Sequence, residues 1–206
     1  MIKQEDVIVV FLRSPYSQFL KTRLSLELGE PDSRIVYQIL VEKILGDVQK
    51  IPDVDKCLSL DMMRVQDVNW FSRRGLANGW LIFEQNGLCL GERMYNTLIR
   101  LSSLYNRVLL VGSDIADSTS NDLISAINKL ENQEDIVVGP SADGGFWCLG
   151  LFNPNIDLFN GLEWSTSNVF SRLRNNIKIL NLNCKTITMR RDIDTCYDIG
   201  MTTLLS

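Results

Sequence analysis

Apolar positions follow two rhythms along this chain. Residues 7–12, VIVVFL, form an unbroken β-branched and aromatic run, as a strand buried on both faces requires. Residues 32–45 instead place Ile35, Val36, Ile39, Leu40 and Ile44 at helical spacing and read as a helix. CLSLDM (57–62) and WLIFEQ (80–85) read as further strands, and residues 92–104 as a helix carrying Met94, Leu98, Leu101 and Leu104. RVLLVGSD (107–114) is the clearest strand, stopped by Gly112, and a helix over 121–130 follows with Ser120 or Asn121 as its N-cap. DIVVGPSADGGFWCLGLF (135–152) reads as strand, glycine loop, strand. The remainder reads as a helix over 165–176, a strand over 177–182 and a closing helix over 194–205.

Strands alternating with helices predict an α/β layered domain. No repeat, low-complexity segment or linker interrupts the pattern, so one domain over residues 1–206 is expected. The balance of 45% hydrophobic and 22% charged residues is that of an ordinary soluble protein. A formal net charge of −4 argues against a generic nucleic-acid binder, while leaving room for a local basic pocket. Five scattered cysteines without a C-x-x-C pair fit reduced thiols in a cytoplasmic protein. The charged MIKQED start is unlike a signal peptide, and no apolar run approaches the ~18 residues of a membrane span. Irregular NPNIDLFNGLEW (153–164) carries apolar residues that offer a surface for a homodimer.

Histidine is absent, which removes Ser-His-Asp and Cys-His catalysis and every histidine metal site. Carboxylates, lysine, arginine, hydroxyls or a bound hard cation must carry any chemistry. Asp114 stands two residues after Gly112, where strand 107–114 emerges at its carboxyl end, the edge at which open α/β sheets bind ligands. Such a carboxylate suits Mg²⁺ or Mn²⁺; as a helix cap or loop hydrogen-bonder it is equally well explained. Asp143, Gly144 and Gly145 form either a substrate-contacting loop or a hairpin turn, and the turn is favoured by residue type. Asp192 and Asp194, two apart in an extended segment, share one face and need a cation or an arginine between them. Pairing with Arg190 or Arg191, with Asp194 capping the last helix, satisfies them as well. Arg93 lies in the first turn of a helix, against the dipole preference, and points to anion binding or a salt bridge with Glu92. Lys21 and Arg23, after the first strand, suit either a diphosphate or a solvated basic turn.

The order of these motifs is more specific than any one of them. Strand then K-T-R-L, L-G-E-R-M, V-G-S-D-x-x-D, G-P-x-x-D-G-G-aromatic, W-S-T and D-x-D-T resembles a bacterial family of GT-A-like nucleotide-diphospho-sugar transferases. That family is labelled rSAM/selenodomain-associated transferase or arsenosugar-biosynthesis glycosyltransferase. The resemblance implies a three-layer sandwich with a mixed, mostly parallel central sheet. It implies a nucleotide and phosphate side built from Lys21, Thr22, Arg23, Arg93 and Ser113, and a metal held at Asp114 with Asp192 and Asp194. Asp143, Gly144, Gly145, Phe146, Trp164, Ser165 and Thr166 match the loops expected to line the acceptor. The first loop departs from the family: Gln18 and Phe19 stand where glycine and arginine are usual, and Ile115-Ala116 and Cys89 replace other customary residues.

The expected activity is glycosyl transfer from a nucleotide-diphosphate sugar to a small-molecule acceptor with Mg²⁺ or Mn²⁺. Asp114, Asp143 and Lys21 are the expected catalytic residues. Two alternatives stand beside it: a nucleotidyltransferase resembling 2-phospholactate guanylyltransferase, which shares the K-[ST]-R-L motif, and a degenerate nucleotide-binding paralogue.

Overall fold

A computed structural model describes residues 4–18 and 20–202. Seven strands make one sheet: β1 (Gln4–Leu12), β2 (Asp55–Leu60), β3 (Leu81–Glu84), β4 (Tyr105–Gly112), β5 (Asp135–Pro140), β6 (Phe146–Leu151) and β7 (Asn183–Thr186). Their spatial order is β3-β2-β1-β4-β6-β5-β7. Only β6 runs antiparallel to its neighbours β4 and β5; every other pairing is parallel. Among the described residues seven α-helices accompany them: α1 (Thr22–Leu28), α2 (Glu30–Gln49), α3 (Val65–Arg73), α4 (Leu90–Ser102), α5 (Ser120–Asn128), α6 (Val169–Ile179) and α7 (Cys196–Gly200).

The unbroken apolar strands are explained by burial on both faces. In β1, Ile8, Val10 and Leu12 pack with Tyr37, Val41, Ile44 and Leu45 of α2. Val7 and Val9 point the opposite way, toward Met94, Leu98 and Leu101 of α4. In β4, Leu109 and Val111 join the first layer and Val108 and Leu110 the second. This is the mixed, mostly parallel three-layer arrangement that the motif order implied.

Several element boundaries move for identifiable reasons. Helix α2 starts at Glu30, because Gly29 at φ 83° ends the preceding turn and a proline in the first turn is compatible with a helix start. Helix α5 is capped by Thr119, not Ser120 or Asn121: its side chain accepts from the Asp122 N–H while Asp122 reaches back to the Thr119 N–H. Residues 177–182 are not a strand. Ile177 continues the stripe Val169, Leu173, Ile177 on α6, so the helical period wins, and β7 begins at Asn183. Helices α1 and α3 escape the periodicity reading because they are short and bury few residues. Nor does residues 153–164 offer an apolar face: Leu158, Phe159 and Leu162 are buried, and only Ile156 among its aliphatic residues is exposed. None of the described helices is long and apolar enough to cross a membrane. The described cysteines are all free thiols.

Two features set the carboxyl edge of the sheet. The chain leaves β1 to build β2 and β3 on one side, then returns to place β4 on the other, so the loops after β1 and β4 part over a crevice. The β5–β6 hairpin then brings its tip to the same edge, docked on the start of α6 by the Phe170 N–H donating to the Gly144 carbonyl at 2.8 Å. Gly144 has φ +90°, and a Cβ there would lie 2.1 Å from the Ser167 carbonyl oxygen.

At the opposite edge, Asp135 is buried and accepts from the Asn132 and Glu131 N–H groups and from Lys185 Nζ at 3.0 Å. Burial alone would raise its carboxyl, but these donors outweigh it and hold it at about 2. The lowered folded value means that this stability is present above the unfolded pKa near 3.8 and is lost as pH falls toward 2. Asp135→Asn should cost about 1–2 kcal/mol at pH 7 in urea unfolding, with the difference from wild type closing near pH 2. Gly144→Ala should cost roughly 2–4 kcal/mol in the same assay, since it combines a positive φ with a backbone clash.

Candidate functional site

Every element that ends at the β1–β4 crevice brings a charge. Helix α1 is preceded at its N-cap by Lys21, whose backbone is left-handed at φ 47° and whose side chain makes no cap hydrogen bond. That side chain is only 4% exposed and places its ammonium 2.7 Å from Asp114 Oδ1 and 3.4 Å from Asp194 Oδ1. Arg23, two residues on and exposed, lies 3.4 Å from Asp194 Oδ2. Thr22 is exposed in the first turn of α1. Across the crevice β4 ends at Gly112; Ser113 is buried with its hydroxyl against that of Tyr37, and Asp114 follows with its side chain 46% exposed.

The acids of the last segment arrive because the chain after β7 runs over the carboxyl ends of β5 and β4. The Arg190 N–H donates to the Pro140 carbonyl at 3.1 Å, the Ala142 N–H to the Arg190 carbonyl at 2.8 Å and the Ile193 N–H to the Asp114 carbonyl at 3.0 Å. A bridge between Ile115 and Asp192 completes the tie. Arg190 anchors this crossing by pairing with Asp117 at 3.1 Å and Asp122 at 2.7 Å. Asp117, matched to the strand-end motif, is thereby engaged in holding the segment. Neither Arg190 nor Arg191 neutralises Asp192 or Asp194; Arg191 pairs with Asp198, and Thr195 caps α7.

Asp192 therefore sits among like charges. Burial pushes its carboxyl up, Asp143 and Asp114 push it further, and it reaches about 8 despite Lys21. Its Oδ1 is buried with no hydrogen-bond partner among the described residues. For Lys21, burial pulls the ammonium down, but Asp114 and Asp194 outweigh it and the net direction is upward. Four acidic side chains (Asp114, Asp143, Asp192, Asp194) face two cations (Lys21, Arg23), too few for all four to ionise, and a bound cation would relieve the shortage.

Chemically the donor set suits a hard divalent ion, and the orphaned Asp192 oxygen is a place for one. Among the described residues no three acidic or thiol side chains are grouped closely enough to hold a metal unaided. Mg²⁺ binds through one or two carboxylates and completes its shell with water and substrate phosphates, so a site for it needs no third acid.

The hairpin tip is organised independently. Asp143 is exposed, and its Oδ1 accepts from Ser141 Oγ at 2.5 Å and from the Gly145 N–H at 2.9 Å. The β5–β6 pairing makes this a hairpin turn, and its position also sets it beside the acids. Phe146 and Trp164 lie 6.3 Å apart, and Trp164 and Phe159 6.4 Å. A Cβ on Gly91 would come within 3.3 Å of the Trp164 ring, so Gly91 lets α4 approach it. Thr166 Oγ1 donates to the Glu163 carbonyl at 2.7 Å, and Ser165 holds a left-handed turn at φ 66°. Half-buried Trp164 and Thr166 thus form a corner beside Phe146 of the hairpin, with Ser165 exposed at its turn. Arg93 pairs with neither Glu92 nor the acids; its Nε donates to the Gly87 carbonyl at 3.0 Å and braces the loop before α4.

Beneath the first loop lies a polar network that residue patterns did not single out. Asp67 is fully buried and accepts from Ser14 Oγ at 2.5 Å, Asp61 Oδ1 accepts from the Ser14 N–H at 2.6 Å, and Tyr37 bonds both backbone groups of Arg13. Gln85 reaches across to the Leu12 and Ser59 carbonyls. The one available signal was the Arg64-x-x-Asp67 spacing of the α3 cap. Gln18 is exposed, and Phe19 lies outside the described residues. A cavity of about 410 Å³ between α6 and β7 is remote from all these groups and contains no carboxylate, so the crevice is the better candidate.

Comparison with known proteins agrees with the fold. A family model described as "Uncharacterized protein conserved in bacteria (DUF2064)" matches residues 45–166. A crystal structure from Desulfovibrio desulfuricans G20, described as a "putative nucleotide-diphospho-sugar transferase", superposes with a TM-score of 0.84 at 25% identity, over 96% of this chain and 86% of that one. CMP:2-keto-3-deoxy-manno-octonic acid synthetase complexed with CTP shares the fold at a TM-score of 0.59 and 11% identity, over 96% of both chains. 4-Diphosphocytidyl-2C-methyl-D-erythritol synthase does so at 0.58 and 12%, over the full length of both. No curated protein matches the sequence. The chain belongs to the bacterial DUF2064 family and carries the GT-A-like fold of the nucleotide-diphospho-sugar transferases.

Proposed function

We propose that this chain is a single-domain transferase that moves a glycosyl group from a nucleotide-diphosphate sugar to a small-molecule acceptor. The observation that supports it most is the meeting of Lys21 and Arg23 with Asp114, Asp192 and Asp194 where the strand order reverses. The likeness to the Desulfovibrio desulfuricans protein points to the same donor class.

Asp114 and Asp192, with water and the substrate's phosphates, would hold Mg²⁺ or Mn²⁺, which when bound supplies positive charge against the leaving diphosphate, and Asp194 stands beside them paired with Lys21 and Arg23. Lys21 and Arg23 add fixed positive charge at the same edge, lysine as a point charge and arginine as a fork. Charge fixed in advance against a growing anion contributes on the order of 3–4 kcal/mol per well-placed donor. Asp143, held by Ser141 and the Gly145 N–H, takes the proton from the acceptor hydroxyl as its oxygen bonds the anomeric carbon and the bond to the diphosphate breaks. Phe146 and Trp164 beside the hairpin offer the acceptor an aromatic wall.

Release of nucleoside diphosphate from a panel of nucleotide sugars with Mn²⁺ is the direct test. Asp114→Asn should lower turnover about 100-fold or more and weaken Mn²⁺-dependent nucleotide binding; unchanged values for both would overturn the assignment. Asp143→Asn should lower kcat by about 100-fold with little change in KM, because its role lies in proton transfer. Pyrophosphate release from a nucleoside triphosphate, with no turnover of any nucleotide sugar, would reassign the site to nucleotidyl transfer.

A further inference from the structure

We infer that Lys21 is the resident counter-ion of the acidic crevice and that its ammonium and a divalent cation are alternative partners of Asp114. This rests on the proposed cation-dependent transfer and says how that site is loaded. Lys21 is held in a left-handed conformation that a long side chain rarely adopts, and it gains no helix-capping hydrogen bond there. What the conformation achieves is the aim of the side chain. The Lys21 side chain is 4% exposed, whereas those of Asp114 and Asp194 remain 46% and 38% exposed. A basic side chain is thus buried beneath acids that are open to incoming ligands.

Two further observations fit this exchange. The first is that Asp114, Asp143 and Asp194 all lie close enough to Asp192 to act on its carboxyl, while among the described residues Lys21 is the one cation acting on it. The second is that Asp114 Oδ1, although 2.7 Å from the ammonium, and Asp192 Oδ1 are both buried without a hydrogen bond among the described residues, so the single ammonium, which hydrogen-bonds Asp194, leaves two carboxylate oxygens open to a cation. An incoming diphosphate competes with Asp114 for the ammonium. Once Lys21 turns to the phosphate, Asp114 is released to the cation, and cation and diphosphate favour each other's binding. The empty protein consequently binds free divalent cation weakly, and removing the ammonium exposes a tighter site.

Titration of Mn²⁺ alone, followed by electron paramagnetic resonance of the free ion, tests this without any turnover. Lys21→Met should bind Mn²⁺ about tenfold or more tightly than wild type, since a like charge 2.7 Å from a ligand oxygen is removed. Arg23→Met, which removes an exposed charge 3.4 Å from Asp194, should change the affinity less than about threefold. Adding Asp114→Asn to Lys21→Met should abolish the gain. Equal Mn²⁺ affinity in wild type and Lys21→Met, or an equal gain from Arg23→Met, overturns the inference. The Asp114→Asn turnover assay then decides separately whether the transferase reading survives. Should Lys21→Met unfold in the absence of metal, Mn²⁺ must restore a cooperative thermal transition, and failure to do so overturns the inference as well.

Discussion

The Lys21–Asp114 ion pair joins the loop after β1 to the loop after β4, the two loops that the strand order drives apart. A buried ammonium is costly unless carboxylates compensate it, and carboxylates crowded at one edge repel one another unless a cation lies among them. Each half of the crevice therefore needs the other. The left-handed backbone of Lys21, the half-exposure of Asp114 and the position of Asp194 all follow from meeting that requirement.

The remaining parts hold this arrangement in place. Arg190, engaged with Asp117 and Asp122, fixes the returning segment across the carboxyl ends of β4 and β5. Gly144 lets the hairpin tip lie against Ser167, and Gly91 lets α4 lie against Trp164. The network of Ser14, Asp61, Asp67 and Tyr37 supports the first loop from below. Few of these groups could touch a substrate, yet each sets the position of one that could.

The fold was largely legible in the chain because its strands are apolar on both faces and its main helices carry regular stripes. Reading failed where that signal is weak. Helix α1 buries only Leu24, and residues 177–182 hold apolar residues that suit a strand or a helix until Val169 and Leu173 are seen to share their stripe. Of the candidate residues, Lys21, Arg23, Asp114, Asp192 and Asp194 converge in space. Arg93, Trp164 and Thr166 have local partners that no spacing rule exposes, because a carbonyl such as that of Gly87 or Glu163 is available to any donor that folding brings near it.

Local order along the chain was enough to settle the layers, the strand ends and the kinds of group that could perform chemistry without histidine. Those properties depend on residue type and on periods of two or of 3.6 residues, which act over a few neighbours. Partnership among the charges required the folded chain. Lys21 and Asp194 are 173 residues apart, and nothing local distinguishes an arginine that clamps Asp117 and Asp122 from one that neutralises Asp192. Coulomb interactions and desolvation act through space, so the shortage of cations around Asp192 arises only when the last segment crosses the sheet.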